Sequence, residues 1–132
     1  LPSMTVRLTA YWEGGYRVRI PARSFDVVSD EPPEFHGEDK GPTPTELFLA
    51  SLVACFAMAV AYAARKVGVA LPDLQVTVDG EYEGLRFSAL RLGVHSTLPR
   101  AELEPLVETA RTYCYVSNTL LSSPRLDVVI ES

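Results

Sequence analysis

Little in this chain is of a kind that announces a chemistry. Its 132 residues include two cysteines, two histidines, two methionines and one tryptophan. The possible metal donors Cys55, Cys114, His36 and His95 are scattered singly, so no close ligand pair exists and zinc is not expected. No glycine-rich phosphate loop follows a strand, and no Gly-x-Ser-x-Gly elbow is present. Basic residues number 12 against 17 acids, a formal net charge of -5, with no basic run and no basic-aromatic patch. That argues against a nucleic-acid partner. No charged segment followed by an apolar one opens the chain, so a secretory signal is not expected. A reducing cytoplasm is then the default compartment, and a purely structural disulfide is not expected there. Repeats and low-complexity segments are absent too. The length suits one domain, 1–132, with a real core. Leu1, Pro2 and Ser3, ahead of Met4, read as a remnant outside it.

What the chain does have is one long apolar stretch, Pro44 to Gly68. Thr43 is placed to cap a helix, Pro44 falls at the first helical position, and Glu46 stands three residues after the cap, which makes a capping box. Arg65 and Lys66 suit the negative end of the helix dipole, and Gly68 suits the C-cap. A run of this length could span a membrane. Its alanine-rich composition, between segments that read as soluble strands, favours a core helix instead, and no membrane partner is expected. Ala50, Ala54, Ala57, Ala61 and Ala64 recur at steps of four and three, a smooth stripe on which another helix can pack closely. A domain this small has few other helices to offer, so a second copy of the same helix is the natural partner.

Around this helix the patterns are those of strands. Val6, Leu8, Ala10 and Trp12 alternate with polar neighbours, Glu13-Gly14-Gly15 turns the chain, and Tyr16, Val18 and Ile20 form a second arm stopped by Pro21. Ser24 to Val28 suits a short third strand, and residues 29–43 read as a surface loop. Leu74 to Tyr82 and Leu85 to Ser96 form a further pair of strands. The apolar phase of the second shifts near Ala89 and Leu90, which predicts a bulge. Pro99 opens a helical stretch in which Leu103, Leu106, Val107, Ala110 and Cys114 share a face; Pro105 is acceptable only if that helix begins just before it. Ser117 to Leu121 suits a short helix and Leu126 to Ile130 a last strand. The order predicts an α+β fold with antiparallel pairs.

The two cysteines are the obvious nucleophile candidates. Cys55 lies mid-helix; Cys114 lies at a helix end, just before Ser117 and Asn118, which suit the opening of the next helix. A thiol at a helix N-terminus gains thiolate character. Free cysteine is also among the most buried and inert residue types, and from the residues alone two packing cysteines outweigh a redox pair. Glu46 is explained by capping, and nine residues of regular helix set it about 180° around from Cys55.

Three further stretches carry a resemblance. Ala10-Tyr11-Trp12-Glu13-Gly14, then Gly37 to Gly41 with Pro44-Thr45-Glu46-Leu47 to Ala54-Cys55, then Cys114 to Leu120 resemble, in order, the first hairpin and the two cysteine motifs of the OsmC/Ohr family (osmotically inducible protein C and organic hydroperoxide resistance proteins). The resemblance runs over nearly the full length. It implies an OsmC-like fold with antiparallel sheets around a long central helix, in an intertwined homodimer. It implies a thiol peroxidase in stress defence, in which Cys55 attacks an organic hydroperoxide and Cys114 resolves the sulfenic acid to a disulfide that a dithiol reductant reopens. Phe56, Met58 and Tyr62 would favour bulky apolar hydroperoxides, and no metal or other cofactor is implied. The sequence departs from the family's peroxidase pattern where an arginine is expected in the loop before the helix: Glu34-Phe35-His36 stands there. Thr45 occupies the place of the glutamate that would hold that arginine, with Glu46 beside it, and Tyr115 replaces a proline. Arg17, Arg19, Arg23, His36 and Glu46 are the remaining candidates to activate the thiolate. The alternative is an OsmC-like protein that binds an apolar small molecule at the dimer interface without catalysis.

Overall fold

The computed structural model describes residues 4–131. The stretch Leu1 to Ser3, read as a remnant, lies outside them. The chain divides into two compact units, Leu1–Phe48 and Leu49–Ser132, and the boundary falls inside the long helix. The architecture is α+β with antiparallel sheets and, among the described residues, three α-helices.

The first unit holds a three-stranded sheet, β1 (Tyr11–Trp12), β2 (Val18–Ala22) and β3 (Phe25–Ser29), in that spatial order. Tyr11 pairs with Arg19, and Ile20 with Val27. Two expectations fail here. Among the described residues nothing pairs with the alternating stretch from Val6 to Ala10, so β1 is two residues long and Val6 and Leu8 lie open. Pro21 does not stop β2 but sits inside it opposite Asp26. β1 reaches only as far as Arg19, so at Pro21 one side of β2 is open and a residue without an N–H is tolerated there.

The loop after β3 is tied down rather than loose. The buried Asp30 carboxylate accepts from the backbone N–H groups of Glu31 (2.8 Å), Lys40 (3.2 Å) and Glu38 (3.3 Å). Burial pushes its pKa up, but these donors and Arg17 outweigh that and hold it below the ordinary 3.8. The loop closes so tightly that a Cβ on Gly37 would run into the Glu31 backbone. A single 3-10 turn, Pro33–Phe35, lies within it.

α1 (Pro44–Val67) starts and stops where the caps predict. Thr43 N–H donates to the Glu46 carboxylate (2.9 Å) and Glu46 N–H donates to Thr43 Oγ1 (3.3 Å), the reciprocal bonds of a capping box. Gly68 ends it with φ of 73°, a conformation costly for residues with a Cβ. Length and composition alone would let α1 cross a membrane. Its side chains Leu52, Phe56, Ala59, Val60, Ala63 and Ala64 are instead the core of the second unit, together with Leu106, Ala110 and Cys114. The burial is one-sided although the helix is apolar all round. Ala50, Ala54, Met58, Ala61 and Tyr62 are exposed along the opposite face.

The rest of the second unit encloses that core. β4 (Gln75–Glu83) and β5 (Arg86–His95) form an antiparallel hairpin that lays Val76, Val78, Leu90, Leu92 and Val94 against it. Ala89 faces Glu81 while Phe87 faces Tyr82, so Ser88 is an extra residue and the expected bulge is present. The bulge keeps Phe87 on the face of Leu90. Its ring lies over Gly80, where a Cβ would sit 2.7 Å from Phe87 Cε1, and stacks on Tyr82 with centroids 4.5 Å apart. α2 (Arg100–Tyr113) begins five residues before Pro105, so that proline lies inside the helix and not in its first turn. Its ring removes the bond the Ala101 carbonyl would accept, and the exposed position of Ala101 lets water replace it. α3 (Tyr115–Leu121) follows after one residue, Cys114. Among the described residues the expected strand at Leu126 to Ile130 has no partner and no regular structure, and its apolar side chains are open.

Candidate active site

The two cysteines, distant in sequence, meet in the second unit. Cys55 is presented by α1 and is half-buried; both thiols are free. At 3.6 residues per turn Cys55 falls at the seam between the buried face of α1 and its exposed apolar face. Cys114 occupies the single extended residue between two helices. Its N–H ends α2 by donating to the Ala110 carbonyl (3.1 Å), and its own carbonyl accepts from Asn118 N–H (2.9 Å) to begin α3. Its Sγ accepts from Ser117 N–H at 3.5 Å, as an N-cap side chain does. Cys55 packs against the buried cluster that contains it.

Cys114 is fully buried, with 0% of its surface exposed. Burial pushes its thiol pKa up; the Ser117 hydroxyl and N–H, the Cys55 thiol and the Val116 N–H outweigh burial and hold it below the ordinary 9.0. No cation contributes to that balance.

The other candidates are placed as follows. In the first unit Arg17 pairs with Glu13 (3.3 Å) and Glu38 (3.5 Å), and Arg19 pairs with Glu13 (3.4 Å) and Asp26 (3.6 Å). Arg23, itself at a positive φ of 56°, lies 5.1 Å over the Phe25 ring. His36 caps the 3-10 turn with φ of 72°, and Glu46 caps α1. Phe56 is buried in the core beside Leu52. Met58 is 71% exposed. Tyr62 packs edge-on to Tyr113, 5.0 Å between centroids, and Lys66 Nζ donates to the Tyr113 hydroxyl at 3.0 Å. Among the described residues no group of three His, Cys, Asp or Glu side chains is placed to hold a metal.

A groove of about 720 Å³ runs between the hairpin and the helices of the second unit, its lining including neither cysteine. Leu52, Phe56, Leu90, Leu92, Val107 and Leu120 line it, with Ser117 at one wall and Arg86, Arg91 and Arg111 among its polar members. Sequence reasoning missed Ser117 as a donor and Asp30 as an organiser. The spacing Cys114-x-x-Ser117 was the available signal for the first, since an N-cap side chain meets the N–H three residues on. For Asp30 no local signal existed, because its partners lie up to ten residues away.

The family described as OsmC-like protein matches residues 37–129. The chain belongs to that family. No curated protein sequence matches it. Among solved structures, it is similar to an organic hydroperoxide resistance protein OsmC from Legionella pneumophila at 26% identity, covering 91% of this chain and 93% of that one, with a TM-score of 0.65. It is also similar in fold to an OsmC-like protein from Mycoplasma pneumoniae (19% identity, 92% and 91% covered, TM-score 0.74). An organic hydroperoxide resistance protein from Elizabethkingia anophelis shares the fold as well (21% identity, 92% and 93% covered, TM-score 0.66). The OsmC-like fold and family membership expected from the two cysteine motifs are therefore established, and hydroperoxide resistance is a function carried by such relatives.

Proposed function

We propose that this protein is a cysteine-based peroxidase that reduces organic hydroperoxides to alcohols. The observation that carries the reading is that Cys55 packs against the core cluster that contains Cys114, with the Cys55 thiol among the groups that lower the Cys114 pKa. Disulfide formation needs the sulfurs to close to about 2.05 Å, and side chains packed in one cluster need less backbone movement to reach it than distant ones. Cys55, the accessible member, is the peroxidatic residue; Cys114 resolves its sulfenic acid, and a dithiol reductant reopens the disulfide. A reducing cytoplasm would supply such a reductant. The apolar groove favours bulky hydroperoxides over hydrogen peroxide, since burying each substrate methylene contributes about 0.8 kcal/mol.

The working unit in this reading is a homodimer. Two features support it. The exposed face of α1 is a continuous stripe of Ala50, Ala54, Met58, Ala61 and Tyr62. The alternating segments around Val6 and Leu8 and around Val128 and Ile130 are strand-like, open and unpaired. Met58 and Tyr62 then reach the substrate only from a covered interface.

The groove also favours a second reading, an OsmC-like protein that holds an apolar small molecule without turnover. Consumption of cumene hydroperoxide with a dithiol reductant separates the two. Turnover by the wild type that vanishes in Cys55→Ser is the expected result. No turnover by a folded, fully reduced wild type would leave the binding reading in its place.

A further inference from the structure

We propose that Lys66, held beside the Tyr113 hydroxyl, is a specificity residue of the Cys55 site: it receives the anionic end of a linear amphiphile whose hydroperoxide lies at the thiol. The inference rests on the peroxidase reading above and adds to it a charge and a length. Cys55, Tyr62 and Lys66 stand seven and eleven positions apart on α1. At about 100° per residue, Tyr62 and Lys66 fall within about 20° of Cys55, so the three form one stripe along the helix. At 1.5 Å rise, Lys66 lies about 16 Å beyond the thiol along the axis. The surface between them is apolar. Met58 and Tyr62 flank it, both exposed on the single chain, and the small Ala59 lies buried beneath.

The far end of that stripe is a cation without a counter-ion. Among the described residues the ion pairs are all made by arginines, and Lys66 enters none of them. Its Nζ donates instead to the Tyr113 hydroxyl at 3.0 Å and lies 5.3 Å from the centroid of that ring. Tyr113 also packs edge-on to Tyr62, so it bridges two residues of the stripe and fixes the ammonium beside it. The helix end does not need this charge as a cap: the Arg65 carbonyl accepts from Gly68 N–H (3.2 Å) and the Ala64 carbonyl from Val69 N–H (2.9 Å). An ammonium has three hydrogens to donate and the phenol takes one, which leaves two for an anion. The hydrogen bond to Tyr113 raises the Lys66 pKa above the ordinary 10.5, so the site is charged at neutral pH. A neutral, compact hydroperoxide can use the thiol but not the cation. A long chain with a carboxylate at its end can use both.

The test compares linoleic acid hydroperoxide with its methyl ester on the full chain, with a dithiol reductant. The two differ only in the charge. The wild type should have a KM for the acid about fivefold below that for the ester at low salt, an advantage that shrinks as salt screens it. In Lys66→Gln the two KM values should converge, with the change in KM and not in kcat, and Lys66→Arg should restore the preference. A hydroperoxide of hexanoic acid, too short to span about 16 Å, should gain nothing from Lys66. Equal KM values for acid and ester in the wild type overturn the proposal and leave the peroxidase intact. So does an acid preference that survives in Lys66→Gln, or an equal effect of Lys66 on the short acid. If no hydroperoxide is turned over, the peroxidase reading fails, and binding of linoleate itself decides the anion site: weaker binding by Lys66→Gln than by the wild type supports it, and equal binding overturns it.

Discussion

Phe56 and Met58 stand two residues apart on α1 and are opposite in environment, 5% and 71% exposed. Truncating each to alanine makes a paired experiment. Phe56→Ala removes a ring packed among Leu52, Val60 and the hairpin side chains and leaves a cavity, for which about 3–5 kcal/mol is the usual cost. With an unfolding entropy of roughly 2.1 cal/mol/K per residue, a 132-residue chain shifts its Tm by about 3.6 °C for each kcal/mol. The expected drop is therefore about 11–18 °C, large against a total stability of about 5–15 kcal/mol. Met58→Ala on an isolated chain should stay within about 0.5 kcal/mol. On a homodimer that covers Met58 it should cost more, and the cost should depend on protein concentration. The assay is a thermal melt by circular dichroism over a hundredfold range of concentration. A Phe56→Ala shift below about 3 °C would refute the assignment of that ring to the core. Equal shifts for the two variants at every concentration would refute the one-sided burial of α1.

Other outcomes follow from single features. Pro105→Ala should restore a donor to the Ala101 carbonyl. The helix gains about 3 kcal/mol and the freer unfolded chain returns up to about 1, so a Tm rise of several degrees is expected. Gly37→Ala drives a Cβ into the Glu31 backbone and should loosen the loop, raising amide exchange at Glu38 and Lys40, whose N–H groups the Asp30 carboxylate holds. Glu46 has its pKa held below the ordinary 4.5, chiefly by the Thr43 N–H and hydroxyl. A depressed carboxylate contributes fully above the unfolded pKa and loses that contribution as pH falls through the folded one. Glu46→Gln should therefore lower stability at pH 7, flatten its fall below pH 4.5 and converge on the wild type in acid, as read from urea midpoints.

Local rules decided much of this protein. The limits of α1 were legible because capping chemistry is contained within four residues at each end, and Thr43, Pro44, Glu46 and Gly68 all agree. The bulge in β5 was legible because a shift of apolar phase has one remedy in a paired strand. The two cysteine motifs identified the family, since their neighbours recur in order. Other features had no local signature. The strands expected at Val6 to Ala10 and at Leu126 to Ile130 have the right alternation, but a strand exists only where another chain segment accepts its hydrogen bonds. Pro105 looked like a helix start and lies within the helix, because packing of Leu106 and Ala110 outweighs the missing bond. Above all, sequence spacing left open whether Cys55 and Cys114 meet. That depended on how α1 and the α2–α3 joint pack around a shared core, and contact between residues so far apart is a property of the folded chain alone.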